Sequence, residues 1–192
     1  MTLPITFERA TFEHKETLFQ WLDEPHVMEF WDNAPEHRLD IINFMEGRTT
    51  RSPYFNGDHN YAYWIGFIGK DPFALMMTSE LLKEQCLAEK SPYIPLFDHL
   101  FQGGKTIALD FMIGNTHYLG KGLAAPTLCA FMDFFKDSID PSATMYMIDP
   151  SHDNPRAQHV YQKAGFRKIG TYTSQRGYFE GDTSDVMIKK YP

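Results

Sequence analysis

The sequence predicts an α+β fold: one mixed, mostly antiparallel sheet of six to seven strands with helices on both faces. Three observations carry that expectation. Tyr61 to Phe67 and Phe73 to Thr78 are aromatic and apolar runs joined through Ile68-Gly69-Lys70-Asp71-Pro72, the pattern of an antiparallel hairpin. Ile107 to Ile113 is almost continuously apolar, as befits a central strand covered on both faces. A glycine turn, Gly120-Lys121-Gly122, then opens a helix-periodic segment. A hairpin upstream of this strand-turn-helix unit contradicts a doubly wound dinucleotide fold, although Gly120-x-Gly122-x-x-Ala125 superficially matches its fingerprint.

In chain order, Ile5 to Arg9 reads as a short strand, and Thr11 caps a helix carrying Leu18, Trp21 and Leu22 on one face. Pro25 ends that helix and opens another with Val27, Met28 and Trp31 on its inner side. Pro35 starts a third, with Leu39, Ile42 and Met45 inward. After the hairpin, residues 81 to 105 hold Ser91-Pro92-Tyr93-Ile94-Pro95 and Gly103-Gly104, an accessory helix plus loop that looks more like a lid than an open groove. The helix after the glycine turn repeats Leu123, Thr127, Phe131 and Phe135 and tolerates Pro126 in its first turn. Thr144 to Asp149 is a strand, Asn154-Pro155 opens a helix that Gly165 terminates, and strands near Phe166–Thr173 and Val186–Lys190 complete the chain.

The 192 residues fit one domain, 1–192, with no repeat or linker inside it. A formal net charge of −7 provides no excess of positive charge for a nucleic acid or an anionic membrane surface, so the expected partner is a small cationic molecule. Cys86 and Cys129 lack disulfide-framework or zinc spacing, and the first twenty residues contain no uninterrupted apolar run, which together suit a cytoplasmic protein. The eight histidines show no i, i+4 pair, so no metal site is expected. Asp23, Glu24, Glu29, Asp32, Glu36, Asp40, Glu46 and Asp58 stand against only Arg38, Arg48 and Arg51. That excess is either a wetted surface or a cleft wall attractive to a polyamine-like ligand.

Four features could carry chemistry. The turn Leu119-Gly120-Lys121-Gly122-Leu123-Ala124 can converge main-chain N–H groups on an anion at a helix start, or it can be a plain tight turn; these six residues do not choose. The spacing excludes a triphosphate-binding loop, because Gly122 follows the lysine. Asp110 places a carboxylate in a strand that reads as buried, which costs several kcal/mol unless it is paired or opens to a cleft. It either caps a β-bulge or belongs to a site, and both readings break the sheet there. Tyr161 taken alone is a core tyrosine. Asp149 at a strand end and Asn154 as an N-cap taken alone have structural readings too.

Taken together, Ile107–Ile113, the 119–124 turn and Asn154-Pro155-Arg156-Ala157…Tyr161-Gln162-Lys163-Ala164-Gly165-Phe166 resemble the Gcn5-related N-acetyltransferases, which bind acetyl-CoA. Within them the likeness is nearest to aminoglycoside 6′-N-acetyltransferases and siderophore side-chain acyltransferases. It runs through Trp21-Leu22…His26-Val27-Met28-Glu29-Phe30-Trp31, Leu109-Asp110, Leu119-Gly120-Lys121-Gly122-Leu123 and Asp149-Pro150-Ser151…Asn154-Pro155-Arg156-Ala157, and is weakest over residues 81–105.

The resemblance implies a sheet splayed between its fourth and fifth strands, with the pantetheine arm in the gap. It implies that Leu119, Gly120, Lys121, Gly122, Leu123 and Ala124 hold the pyrophosphate, that the amides of Met112 and Ile113 bind pantetheine and polarise the thioester, and that Asn154 adds to the cofactor site. Asp110 would dock or deprotonate the acceptor amine and Tyr161 would protonate the departing thiolate. Phe30, Trp31, Glu80 and Asp149 would line the acceptor lobe. Leu119 departs from the Arg or Gln usual at its place in the family, which leaves the cofactor to main-chain amides. The implied activity is acetyl transfer to a primary amine of a small cationic acceptor, with antibiotic modification as one role. A siderophore-precursor acyltransferase and a non-catalytic CoA-binding module are the alternatives.

Overall fold

A computed structural model describes residues 4–48, 60–89 and 91–191. Seven strands form one mixed sheet in the order β1-β2-β3-β4-β5-β7-β6: β1 Ile5–Arg9, β2 Ala62–Ile68, β3 Asp71–Leu81, β4 Lys105–Ile113, β5 Ala143–Ile148, β6 Arg167–Thr173 and β7 Thr183–Lys190. The helices are α1 Lys15–Leu22, α2 Pro25–Met28, α3 Pro35–Met45, α4 Lys83–Cys86, α5 Phe97–Leu100, α6 Ala124–Ser138 and α7 Pro155–Lys163. Pairing is antiparallel for β1/β2, β2/β3, β5/β7 and β6/β7, and parallel for β4/β5. The α+β expectation and its predominantly antiparallel sheet are met.

The β4/β5 ladder is short. It runs from Lys105 with Ala143 to Ala108 with Met147, after which β4 continues to Ile113 without a β5 partner among the described residues. The two strands part there. The register shift in this ladder falls between Lys105 and Thr106, and the ladder ends before Asp110.

The chain divides into two compact units, Met1–Thr78 with Phe111–Phe131, and Ser79–Asp110 with Met132–Pro192. In the first, Leu18, Trp21 and Leu22 of α1 meet Tyr63, Ile65, Leu75 and Met77 of the hairpin. Each such side chain contributes about 1.5–3 kcal/mol when it leaves water. The hairpin turn is tighter than the sequence suggests: Ile68 pairs with Asp71, so only Gly69, at φ +65°, and Lys70 lie between the strands.

Two helix faces in this unit differ from expectation. Met28 is 51% exposed, one position round from Val27, which is buried. On α3 the inward stripe is His37, Asp40, Ile41 and Phe44, while Leu39 is 52% exposed. Hydrophobic periodicity misjudged α3 because two inward residues are polar and are held inside by neighbouring groups. Asp40 is ion-paired with Arg48 and accepts a hydrogen bond from the Tyr63 hydroxyl at 2.7 Å, and His37 Nδ1 is 2.7 Å from the Asp32 carbonyl. Asp32 and Asp40 are thus core groups and not part of a wetted acidic surface. Asp58 and Arg51 lie outside the described residues.

In the second unit, Leu81, Cys86, Leu96, Leu100, Met145, Met147, Val186 and Ile188 make the core. The 81–105 segment enters it through α4, a 3-10 turn at Ile94–Leu96 and α5, burying Cys86, Leu96 and Leu100. Its helical turns are therefore anchored in a core, where the sequence suggests a lid. The Thr106 hydroxyl donates to the Leu100 carbonyl and fastens the end of the segment to β4.

Candidate active site

Parallel pairing sets the geometry of the two aspartates. Asp110 lies two residues beyond Ala108, and Asp149 two residues beyond Met147, the last pair of the β4/β5 ladder. Because strand side chains alternate with a period of two, each aspartate continues the face of its paired residue. Met147 is in the second unit's core and Ala108 packs against it, so both carboxyls start from a desolvated stripe at the point where backbone pairing stops.

That placement governs their charge. Burial first, and the neighbouring Asp149 second, push Asp110 up to about 8. Burial pushes Asp149 up to about 6, opposed by a hydrogen bond from the Tyr172 hydroxyl at 2.5 Å and by its own backbone amide. With one group above and one below neutrality, the pair holds about one proton at pH 7. A carboxylate pair poised this way can take a proton from a bound cation near neutral pH.

Tyr161 is buried on α7 against Phe166, and burial followed by the charges of Asp110 and Asp149 raises its hydroxyl above the ordinary tyrosine range. It keeps its proton throughout the physiological range. Asn154 caps the same helix, its Oδ1 accepting from the Ala157 amide at 3.0 Å. Glu80, at the end of β3, is ion-paired at 3.1 Å with Lys105, which also meets Asp140 at 3.0 Å. The second unit thus holds Asp110, Asp149, Tyr161, Glu80 and Asn154. The first three interact electrostatically, while Glu80 belongs to the Lys105 ion cluster.

The remaining candidates belong to the first unit. Gly120 and Gly122 both have φ +72°, a backbone conformation that strains any residue with a Cβ, even though open space surrounds each position. The turn therefore requires glycine for its backbone angles, and α6 begins two residues later. Leu119 is 38% exposed, the Lys121 ammonium lies 5.4 Å from the Tyr118 ring, and the Leu123 carbonyl accepts from Thr127 at 2.9 Å. Met112 is buried in the core, and the Ile113 carbonyl is 2.9 Å from His26 Nε2. Phe30 is half-buried; Trp31 is buried and stacks on His37 at 6.2 Å.

Two site residues escaped sequence reasoning. Tyr172 on β6 donates to Asp149, and the Tyr93 ring, from the proline-flanked 91–95 stretch, packs edge-on against Tyr172. The prolines around Tyr93 marked an accessory segment, but Tyr172 sits in an ordinary alternating strand with no local mark. No group of three or more His, Cys, Asp or Glu among the described residues is arranged to hold a metal ion, and none of the helices among them is long and apolar enough to cross a membrane.

The chain is 24% identical over 176 residues to an aminoglycoside N(6′)-acetyltransferase type 1 of Klebsiella pneumoniae, covering 90% of this chain and 79% of the relative. A crystal structure of an aminoglycoside N(6′)-acetyltransferase from Legionella pneumophila has the same fold, with TM-score 0.72 and 23% identity over 99% of this chain and 94% of the other. An aminoglycoside 6′-acetyltransferase solved with paromomycin and acetyl-CoA aligns with TM-score 0.68 and 21% identity over 97% and 93% of the two chains. The parted parallel strands, the glycine turn before a long helix and the aspartate pair near a buried tyrosine agree with the match of residues 11–174 to the acetyltransferase (GNAT) domain model, and the chain belongs to that family of N-acetyltransferases.

Proposed function

We infer that this chain transfers an acetyl group from acetyl-CoA to a primary amine of a small cationic acceptor of the aminoglycoside type, by direct attack within a ternary complex. The observation that carries this reading is the Asp110/Asp149 pair, two carboxyls set side by side where the β4/β5 ladder ends, their acidity weakened by burial, near a tyrosine that stays protonated. The names of the Klebsiella relative and the paromomycin-bound neighbour support the acceptor class.

The residues present fit the cofactor. Gly120 and Gly122 hold left-handed backbone angles in the loop ahead of α6, the kind of conformation in which main-chain N–H groups can converge on an anion, which suits a diphosphate. Met112 and Ile113 lie on the part of β4 beyond the end of the β5 ladder, the stretch proposed to face a pantetheine chain. Acetyl-CoA, when bound, supplies an activated acetyl thioester.

The chain's own groups handle the protons. An aliphatic ammonium, with pKa ~10, must lose a proton before its nitrogen becomes a nucleophile. The ionised member of the aspartate pair holds the ammonium and receives that proton. Tyr161 retains an O–H for the leaving sulfur, and Glu80, near its Lys105 partner, adds negative charge for a polycationic acceptor. Release of free CoA thiol, measured with kanamycin, paromomycin, spermidine and N6-hydroxylysine as acceptors, tests the reading. Turnover with the aminoglycosides is expected; turnover confined to spermidine or hydroxylysine, or absent throughout, would overturn it.

A further inference from the structure

Tyr172 is tied to the Asp149 loop three times over. Its backbone pairs with Ser184 of β7, and Ser184 also bridges to Ser151, two residues past Asp149. The Asp185 amide donates to the Pro150 carbonyl at 2.9 Å and the His152 amide to the Thr183 carbonyl at 2.8 Å, so the loop following Asp149 is laced to β7. Its hydroxyl then donates to Asp149 Oδ2 at 2.5 Å, within the range of a charge-assisted O–H···O⁻ bond.

Tyr93 supports this arrangement from the other side. Its ring meets the Tyr172 ring edge-on at 5.4 Å between centroids. The 91–96 segment is held at the required distance by Gly170, where a Cβ would come within 2.7 Å of Leu96 Cδ2. The result is a packed pair of tyrosine rings from which the Tyr172 hydroxyl donates to the carboxylate.

We propose that Tyr172, backed by Tyr93, is a positioning residue of the aspartate pair: its hydroxyl orients the Asp149 carboxyl and keeps it as the proton-accepting member. This rests in part on the reading of the pair as the acceptor site, but the Tyr172–Asp149 hydrogen bond stands on geometry alone. The titratable groups facing Asp149 are Tyr172 of β6, Tyr93 of the 91–96 segment, Asp110 of β4 and Tyr161 of α7, with Cys86 behind Tyr93. Burial and the neighbouring Asp149 hold both Tyr172 and Tyr93 protonated far above the ordinary range, so the Tyr172 donor does not switch off at working pH.

Carboxyl ¹³C NMR of aspartate-labelled protein tests this without any turnover, with Asp110→Asn and Asp149→Asn supplying assignments. In Tyr172→Phe the lower titration of the pair, near 6 in the wild type, rises by about one unit, the worth of a lost hydrogen bond to a charged group. In Tyr93→Ala, which removes the ring packed against Tyr172, it rises by less, in the same direction. Should Tyr172→Phe fail to fold, Tyr93→Ala decides alone. Titrations that stay in place or fall would overturn the proposal. In parallel, the acid limb of kcat/KM for acetyl transfer to kanamycin moves alkaline in Tyr172→Phe. Absence of turnover together with the NMR shift leaves the positioning role standing and removes only the acetyl-transfer reading.

Discussion

Asp110 and Asp149 occupy equivalent places, each two residues beyond the last paired residue of its strand, where β4 and β5 stop sharing hydrogen bonds. Two carboxyls on one face, at the point where a parallel ladder ends, are desolvated by the stripe below them and repel one another. The fold itself thus converts two ordinary aspartates into a pair that holds a proton near neutrality.

Asp110→Asn keeps the shape and removes the carboxyl that shares a proton with Asp149. It is expected to lower kcat by about 10²–10⁴-fold, the usual worth of general acid–base catalysis, with acetyl-CoA affinity unchanged by calorimetry. A variant within a factor of about three of wild type would show that Asp149 alone suffices.

The same substitution should change stability with a definite sign. The Asp110 carboxyl titrates at about 8 when folded, above its unfolded value near 3.8. Its contribution to stability is therefore fully present below about pH 4, declines as pH rises, and is lost once pH passes the folded value of about 8. Asparagine does not ionise, so Asp110→Asn should melt higher than wild type at about pH 9, with a gap that closes toward pH 4. Thermal melts across that range check it, and parallel curves would contradict the burial of this carboxyl.

Tyr161 keeps its proton because burial and two neighbouring carboxyls oppose the phenolate. Tyr161→Phe should reduce kcat by at least about 10-fold while leaving the acceptor KM within a factor of two, the signature of a group used in the transition state and not in binding. Steady-state rates with an acceptor that turns over provide the measurement; a loss confined to KM would reassign Tyr161 to binding.

In the first unit, Arg48 is the charge that makes a buried Asp40 tolerable. Arg48→Met should destabilise the fold by about 3–5 kcal/mol by stranding that carboxylate, and a further Asp40→Asn change should restore much of it. Urea denaturation of the single and double variants measures both steps.

The α+β class, the hairpin, the glycine turn, the Asn154 cap and the importance of Asp110 were legible in the amino-acid sequence, because each depends on short-range chemistry. A turn needs φ above zero at Gly120 and Gly122, a helix start needs an acceptor for its orphan amides, and a carboxylate in an apolar run must find compensation. The inward face of α3 was not legible, since Asp40 and His37 are inside only by virtue of Arg48, Tyr63 and the Asp32 carbonyl. Nor was Tyr172, whose strand pattern is indistinguishable from that of any other edge tyrosine. Tertiary structure alone decided which residues meet: β6, β7 and the 91–96 segment bring two tyrosines from distant stretches onto Asp149, and the termination of one parallel ladder sets Asp149 beside Asp110. Local preference acts over a few residues, whereas the charge state of this pair arises from burial and long-range neighbours that exist only once the chain has folded.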